Sequence, residues 1–380
     1  MLLTLLSATL ASTPPGLPTI RPPCGTPGIV PTLGPAPRLP VGPPIPATVK
    51  EAREPNGTTY PNELVGENFV VKWGTRGAVS EADAQDLLDA FEHAWTTEIE
   101  ERAFPAPSGT DRYLFNVYIG DTGDGAPDGY GTSGYFNRDR QGYPMIVVSA
   151  ATLGDLSWAQ GTAAHEFFHA VQDVTGRYDY TGDSAWYWEA TAMWIEGEVL
   201  PDHDEYVAFL YGYALLPHLP VYFFDYPDTG ALEEYHQYGA MIFPRYVSEI
   251  AADSDLIRDS WVEAGAETPH DTIAELLAER GVAFEDAFGD FAARNVTWDY
   301  ADGAVYDQWV DWYADYYRSD DARVVAELDS TGTNGLVEAP GATLPGRYGY
   351  NVVTLARPGE GGYRVRFEGA VEGTDGSAAD

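Results

Sequence analysis

Apolar residues follow two different spacings along the middle of the chain, and these predict the order of its secondary structure. Runs rich in β-branched and aromatic residues predict strands at 69–73, 114–119 and 144–149. Apolar residues at helical spacing predict helices at 81–95, with Ser80 as the capping residue, and around 158–172. The order of strand, helix, two strands and helix indicates a mixed α+β fold.

The two ends of the chain differ in composition from its middle. Residues 1–12 are apolar and are expected to form a signal peptide, although they lack a positively charged start. Residues 13–64 are rich in proline, which excludes helix and central strand, so we expect a linker or pro-segment there. Residues 65–330 are expected to form the main domain, and 334–380 a partial β-rich module. Within that module, two strands are expected to pair as a hairpin, 347–355 and 363–367.

Acidic residues dominate the chain, with 59 acidic against 21 basic side chains and a net charge of −38. A surface this anionic repels nucleic acid and anionic membranes, so neither is expected as a partner. Beyond the N-terminal residues, no segment approaches the roughly 20 apolar residues of a membrane span. Cys24 is the only cysteine, so the chain can form no internal disulfide.

Residues 165–169 have the sequence HEFFH, which is the most informative motif in the chain. Residues four positions apart lie on one face of a helix, so His165 and His169 can bind a single zinc ion. Glu166 would then lie beside the open coordination position, where it can take a proton from zinc-bound water. The motif predicts a catalytic zinc site.

A catalytic zinc site needs a third protein ligand, which the next helix can supply. Asp183 or Ser184 is expected to cap a helix that carries Glu189 and Glu196 on one face. Both carboxylates stand among tryptophan and other apolar residues, so we expect them to be partly buried and to need a partner such as a cation. The residues themselves leave either glutamate as the ligand.

The HEFFH helix and the sequence WEATAMWIE at 188–196 together resemble the gluzincins, zinc peptidases with two histidines and a downstream glutamate as ligands. More narrowly, both helices are similar to those of secreted bacterial metalloproteases. The resemblance covers roughly residues 65–300. It implies a zincin-like domain, with a mixed sheet and active-site helix in an upper lobe and a helical lower lobe. It also implies secretion.

The resemblance assigns roles to individual residues. It implies that His165, His169 and Glu189 bind one catalytic Zn²⁺ and that Glu166 is the general base. The thermolysin-like branch of the family has an aspartate, which orients a histidine, where this chain has Met193. That supporting role is therefore expected of Glu196 or Asp173.

Two further groups of residues are candidates for the site. In the lower lobe, where helices are predicted at 272–279 and 284–293, the sequence around Tyr238 is similar to a gluzincin helix that stabilises the oxyanion. Tyr238 is the first candidate for that role, with His236 and Tyr235 as alternatives, and all three could instead pack in a core.

The acidic loop that begins at Asp121 resembles a Ca²⁺ loop only weakly, and a plain surface loop is the preferred interpretation.

The surroundings of Cys24, with the sequence RPPCGTPG, resemble the cysteine-switch motif of matrix-metalloprotease zymogens. A thiolate is a strong zinc ligand, so the proline-rich segment could carry Cys24 to the open position of the metal and keep the enzyme inactive. The alternative is a reduced thiol on the surface of an unstructured leader.

These features predict a secreted zinc peptidase that hydrolyses peptide bonds in a protein or peptide substrate. An endopeptidase is preferred because no group was found to grip a substrate's amino terminus, although an aminopeptidase of the same clan remains an alternative. The rival from another class is a non-catalytic zincin-like module for binding or adhesion. A carbohydrate-binding protein with aromatic stacking platforms is the third hypothesis.

Overall fold

The computed structural model describes residues 22–28, 50–54, 59–77, 79–226, 230–263, 265–317, 324–328 and 341–355. These residues form a mixed α+β fold around a five-stranded mixed sheet. The strands of this sheet are β1 (Asn62–Val65), β2 (Phe69–Trp73), β3 (Phe115–Gly120), β4 (Gly134–Arg138) and β5 (Pro144–Ser149). The helices are α1 (Glu81–Trp95), α2 (Leu156–Thr175), α3 (Ala185–Val199), α4 (Leu210–Ala214), α5 (His236–Gly239), α6 (Ile242–Tyr246), α7 (Ser254–Val262), α8 (Pro269–Glu279), α9 (Phe284–Asn295) and α10 (Gly303–Tyr317).

Most of the predicted elements are confirmed. Strands β2 and β5 have the predicted bounds, and α1 begins after Ser80, which forms a reciprocal capping box with Asp83. Strand β3 starts one residue later than predicted, and α8 and α9 extend the predicted helices by a few residues. Strands β1 and β4 and helices α4, α7 and α10 were not predicted. Ser184 precedes α3, but its side chain makes no capping hydrogen bond.

The sheet has the strand order β1-β2-β3-β5-β4. Its three central strands are parallel, and the outer strands β1 and β4 run antiparallel to their neighbours. Alternate side chains of the central strands, such as Phe69 and Val117, enter a large core that they share with α1, α2 and α3. The opposite face buries a smaller cluster around Tyr118 and Val147. Strands β1 and β4 form the two edges of the sheet, and β4 is the edge strand that lies closer to α2 along the sequence.

Near the C-terminal end, two short strands pair in parallel, β6 (Val324–Leu328) and β7 (Val352–Leu355). Strand β7 lies within the predicted strand 347–355, but its pairing with β6 was not predicted. The second strand of the predicted hairpin, 363–367, lies outside the described residues. Among the helices that the structure describes, none has both the length and the apolar character to cross a membrane.

Candidate metal centre

Helix α2 carries the HEFFH residues and turns both histidines to the same side. It begins after Asp155, whose carboxylate accepts a hydrogen bond from the first turn, and ends at Gly176 in the left-handed conformation. Between the histidines, Phe167 packs into the sheet, with its ring 5.1 Å from that of Phe69. The two imidazoles lie four residues apart on another face of α2, with ring centroids 4.8 Å apart.

Helix α3 brings two carboxylates to the imidazoles. Glu189 Oε2 lies 3.1 Å from His165 Nε2, and Glu189 Oε1 lies 3.4 Å from His169 Nε2. Glu196, two turns further along α3, has Oε1 3.0 Å from the other ring nitrogen of His165, Nδ1. Glu189 can therefore share a metal ion with both histidines, whereas Glu196 is suited to orient His165.

Cys24 completes the group from a distant part of the sequence. Its Sγ lies 3.5 Å from His169 Nε2, and the ligand atoms of Cys24, His165, His169 and Glu189 all lie within 4.8 Å of one another. The thiol is buried, with 4% of the residue exposed, and it accepts a hydrogen bond from the Thr26 backbone. The alternative of a surface thiol is therefore wrong.

These four side chains can hold a metal ion. Two imidazoles, one thiolate and one carboxylate form a donor set that suits Zn²⁺. Glu166, Glu189 and Glu196 are all buried around the two histidines. Because buried carboxylates are costly unless their charge is balanced, a divalent cation at this point would stabilise the arrangement.

Glu166 lies beside the ligand group without belonging to it. Its Oε2 accepts a hydrogen bond of 2.9 Å from Thr26 Oγ1, so the segment that carries Cys24 also contacts this carboxylate. Burial raises the pKa of Glu166 to about 7. Glu166 is thus close to the position that the Cys24 thiol fills.

Burial and hydrogen bonds shift the pKa values of the ligand group in different directions. Burial lowers the pKa of His165, but its hydrogen bonds to Glu189 and Glu196 outweigh this and raise the pKa to about 10. Burial lowers the pKa of His169 to about 4. Burial, followed by the charge of Glu166, raises the pKa of the Cys24 thiol well above its usual value. Because imidazole and thiol groups bind metals in their deprotonated forms, a cation entering the centre would displace protons.

A family model matches residues 45–380, which is most of the chain. The chain belongs to the DUF6055 family. That family is described as one of unknown function. No curated protein matches the chain. Within this DUF6055 member, the two histidines, Glu166 and Glu189 lie inside the matched residues, whereas Cys24 lies before them.

Two residues that the sequence pattern did not indicate support the candidate ligands of this DUF6055 centre. Gln172, three residues after His169 in α2, accepts a hydrogen bond of 2.7 Å from His169 Nδ1 through its Oε1. As a carbonyl oxygen, Oε1 is the acceptor when Nδ1 carries the proton. Gln172 Nε2 in turn donates to Trp188 O and Thr191 Oγ1, both at 2.9 Å. Tyr180 donates its hydroxyl proton to Glu189 Oε1.

Asp173 was a candidate for a supporting role at the metal, and the structure contradicts this. Its carboxylate pairs with Arg138 of β4, whose Nε lies 3.2 Å from Asp173 Oδ2. The helical position after Gln172 points about 100° away from it, so Asp173 leaves the face that Gln172 shares with His169. The spacing of three residues on one helix was the signal that could have identified Gln172.

Of the three aromatic candidates Tyr235, His236 and Tyr238, Tyr238 lies nearest to the centre. Its hydroxyl donates a hydrogen bond of 3.4 Å to Cys24 O, and its ring centroid is 6.3 Å from that of His165. His236 packs against Tyr213, and Tyr235 stacks on Phe209. The short helix α5 therefore turns only Tyr238 towards the ligand group.

The acidic loop closes on itself through hydrogen bonds. Asp121 accepts from Gly129 N at 3.0 Å, Asp128 accepts from Tyr130 N at 2.8 Å, and Asp124 accepts from Thr75. Across the described ranges, the Cys24 group is the one place where three or more metal-binding side chains come together. The preferred interpretation of a surface loop agrees with these contacts.

Proposed function

We propose that this DUF6055 chain is a zinc-dependent peptidase with a zincin-like catalytic domain. The observation that carries the proposal is the meeting of His165, His169 and Glu189 at one point, with Glu166 beside them but outside the ligand group. Three protein ligands with an adjacent carboxylate form the arrangement of catalytic zinc sites. Secretion and the preference for endopeptidase activity are parts of the same proposal.

Each side chain has a chemical role in this proposal. When bound, zinc would polarise the scissile carbonyl and make water easier to deprotonate. Glu166 takes the proton of the attacking water and later gives it to the leaving amine. Tyr238 donates a hydrogen bond to the carbonyl oxygen as negative charge develops there. Glu196 and Gln172 hold His165 and His169 in orientation through their Nδ1 atoms.

The edge strand β4 supports a peptide as the substrate. Its backbone already bonds to another segment of the chain, because Gly25 N donates to Gly134 O at 2.8 Å. Phe136 N donates to Thr26 Oγ1 at 2.9 Å on the same edge. An edge strand can bind any extended peptide through such main-chain groups.

A second candidate is a non-catalytic module in which the metal has a structural role. One observation favours it, because with Cys24 the centre offers four protein ligands, and structural zinc sites are closed in this way. Glu166 speaks against it, since a structural site has no use for a buried carboxylate next to the metal.

The test compares wild type with Glu166→Gln, using Glu101→Gln as a control at an exposed glutamate. Metal content is measured together with hydrolysis of casein, with and without a chelator, and the new termini are identified. Both measurements are made before and after the only thiol is modified with a mercurial. Glu166→Gln should keep about one zinc per chain and lose nearly all chelator-sensitive cleavage. Absence of cleavage by wild type under every condition, or full activity in Glu166→Gln, would refute the proposal.

A further inference from the structure

Residues Pro22–Gly28 enter the metal centre from outside the part of the chain that the family model matches. They run beside β4, where Gly25 N donates to Gly134 O and Ser133 Oγ donates to Pro22 O, both at 2.8 Å. Residues 24–27 are all buried. The segment therefore fills the space between the edge of the sheet and the metal-binding helices.

The fit of this segment is close at the residue next to the cysteine. A Cβ atom added to Gly25 would lie 3.0 Å from the side chain of Thr132. Almost any other residue at this position would force the neighbouring side chain to shift. Glycine lets the backbone approach the start of β4 closely enough to bring Cys24 to the ligand group.

Two side chains of the segment contact the two chemical parts of the centre. The Cys24 thiol joins the metal-binding group, with Sγ 3.5 Å from His169 Nε2. The Thr26 hydroxyl donates to Glu166 Oε2 at 2.9 Å. The metal position and the general base are therefore contacted at the same time.

We propose that Cys24 is a fourth ligand of the metal and that the segment Pro22–Gly28 holds the peptidase in a latent form. This inference rests on the proposed function and adds its regulation. On metal binding, the thiol loses its proton to solvent and a sulfur–metal bond forms. Hydrolysis of the chain by a peptidase between this segment and the folded domain would let the segment leave. The Cys24 sulfur would then take a proton back from solvent, water could occupy the position that it leaves, and Glu166 would be freed from Thr26.

Cobalt substitution tests the ligand directly, because a thiolate bound to Co²⁺ gives a charge-transfer band in the near ultraviolet. Cys24 is the only cysteine, so no other thiol can produce this band. Wild-type chain loaded with one Co²⁺ should show the band, and Cys24→Ser should lose it while keeping the visible ligand-field bands. Thr26→Val is the matched control in the same segment, and it should keep the charge-transfer band.

The second arm tests release with the full chain. A recognition sequence for a site-specific protease is inserted between residues 44 and 45, and spectra and casein cleavage are recorded before and after the cut. Cutting should remove the charge-transfer band, keep the bound cobalt, and start cleavage of casein. This arm does not depend on whether Cys24→Ser folds.

The outcomes separate the inference from the proposed function. Bound cobalt without a charge-transfer band in the uncut wild type overturns the role of Cys24 and leaves the peptidase proposal standing. A band that persists after cutting, or casein cleavage that is already present before the cut and equal after it, overturns latency. Loss of the band without any casein cleavage overturns the peptidase proposal. Failure of the wild type to bind any metal would sink both proposals together.

Discussion

A buried glutamate close to the centre should make the stability of this protein depend strongly on pH. Glu98 lies in a single π-helical turn, Thr96–Glu101, that continues α1. It is completely buried, and neither carboxylate oxygen has a hydrogen-bond partner among the described residues. Burial raises its pKa well above the usual 4.5, and the nearby charge of His165 opposes this. Glu98 therefore keeps its proton in the folded chain at pH values where the unfolded chain has lost it.

The sign and size of the effect follow from proton linkage. Between pH 4.5 and the raised pKa of the folded state, the folded chain binds one proton more than the unfolded chain at this residue. The free energy of unfolding then falls by about 1.4 kcal/mol for each unit of rising pH. Glu98→Gln keeps the shape of the side chain and removes this loss, because the amide does not ionise.

Both proteins are unfolded with urea at pH 5, 6 and 7, and the unfolding is monitored by circular dichroism. The stability difference in favour of Glu98→Gln should grow by about 1.4 kcal/mol per pH unit until Glu98 ionises in the folded wild type. Glu101→Gln, on the exposed side of the same turn, serves as the control and should show no such growth. A stability difference for Glu98→Gln that is independent of pH would refute the reasoning.

Four substitutions at the centre test how its side chains divide their roles. Glu189→Ala should weaken metal binding far more than Glu196→Ala, for which a loss of about 10–100-fold in affinity is expected because Glu196 acts through His165. Competition with a chromophoric chelator measures both affinities. If Glu196→Ala has the larger effect, the roles of the two glutamates must be exchanged. Gln172→Leu should also weaken metal binding by about 10–100-fold, since His169 Nδ1 loses its partner. Tyr238→Phe should lower kcat by about 100–1,000-fold with little change in metal content, and unchanged kcat would remove Tyr238 from the mechanism.

The elements with strong local signals could be predicted from the sequence. Helix α1 has a capping residue and apolar residues at helical spacing, and β2 and β5 are apolar runs that are buried on both faces. Strand β4 gives no comparable signal, because its five residues, GYFNR, begin with glycine and end with polar side chains. It is a strand because it pairs with β5 over its whole length, and a single sequence does not reveal that pairing.

The candidate site also has one part that local sequence predicts and another that depends on long-range packing. Helical periodicity is enough to bring His165 and His169 to one face, but it could not choose between Glu189 and Glu196, which share a face of α3. The choice depends on how α3 packs against α2, which sets Glu189 against both Nε2 atoms. The burial of Cys24 depends on contacts across 145 residues of sequence, which no local pattern encodes. Tertiary packing, rather than spacing along the sequence, therefore decides which glutamate faces both histidines and whether Cys24 reaches them.

Four side chains that could hold a metal ion would serve either a structural site or the proposed latency, and the contacts of Glu166 favour latency. A buried carboxylate costs free energy unless it is hydrogen-bonded, and Thr26 supplies that hydrogen bond from two residues beyond Cys24. One short segment thus contacts both the candidate metal position and the proposed base, although it lies outside the family-matched residues that carry the other three candidate ligands. If the segment leaves, the centre keeps three ligands and gains an open position with a free carboxylate beside it. A permanent structural site would gain nothing from that arrangement, whereas it is the arrangement that the proposed latent peptidase would use.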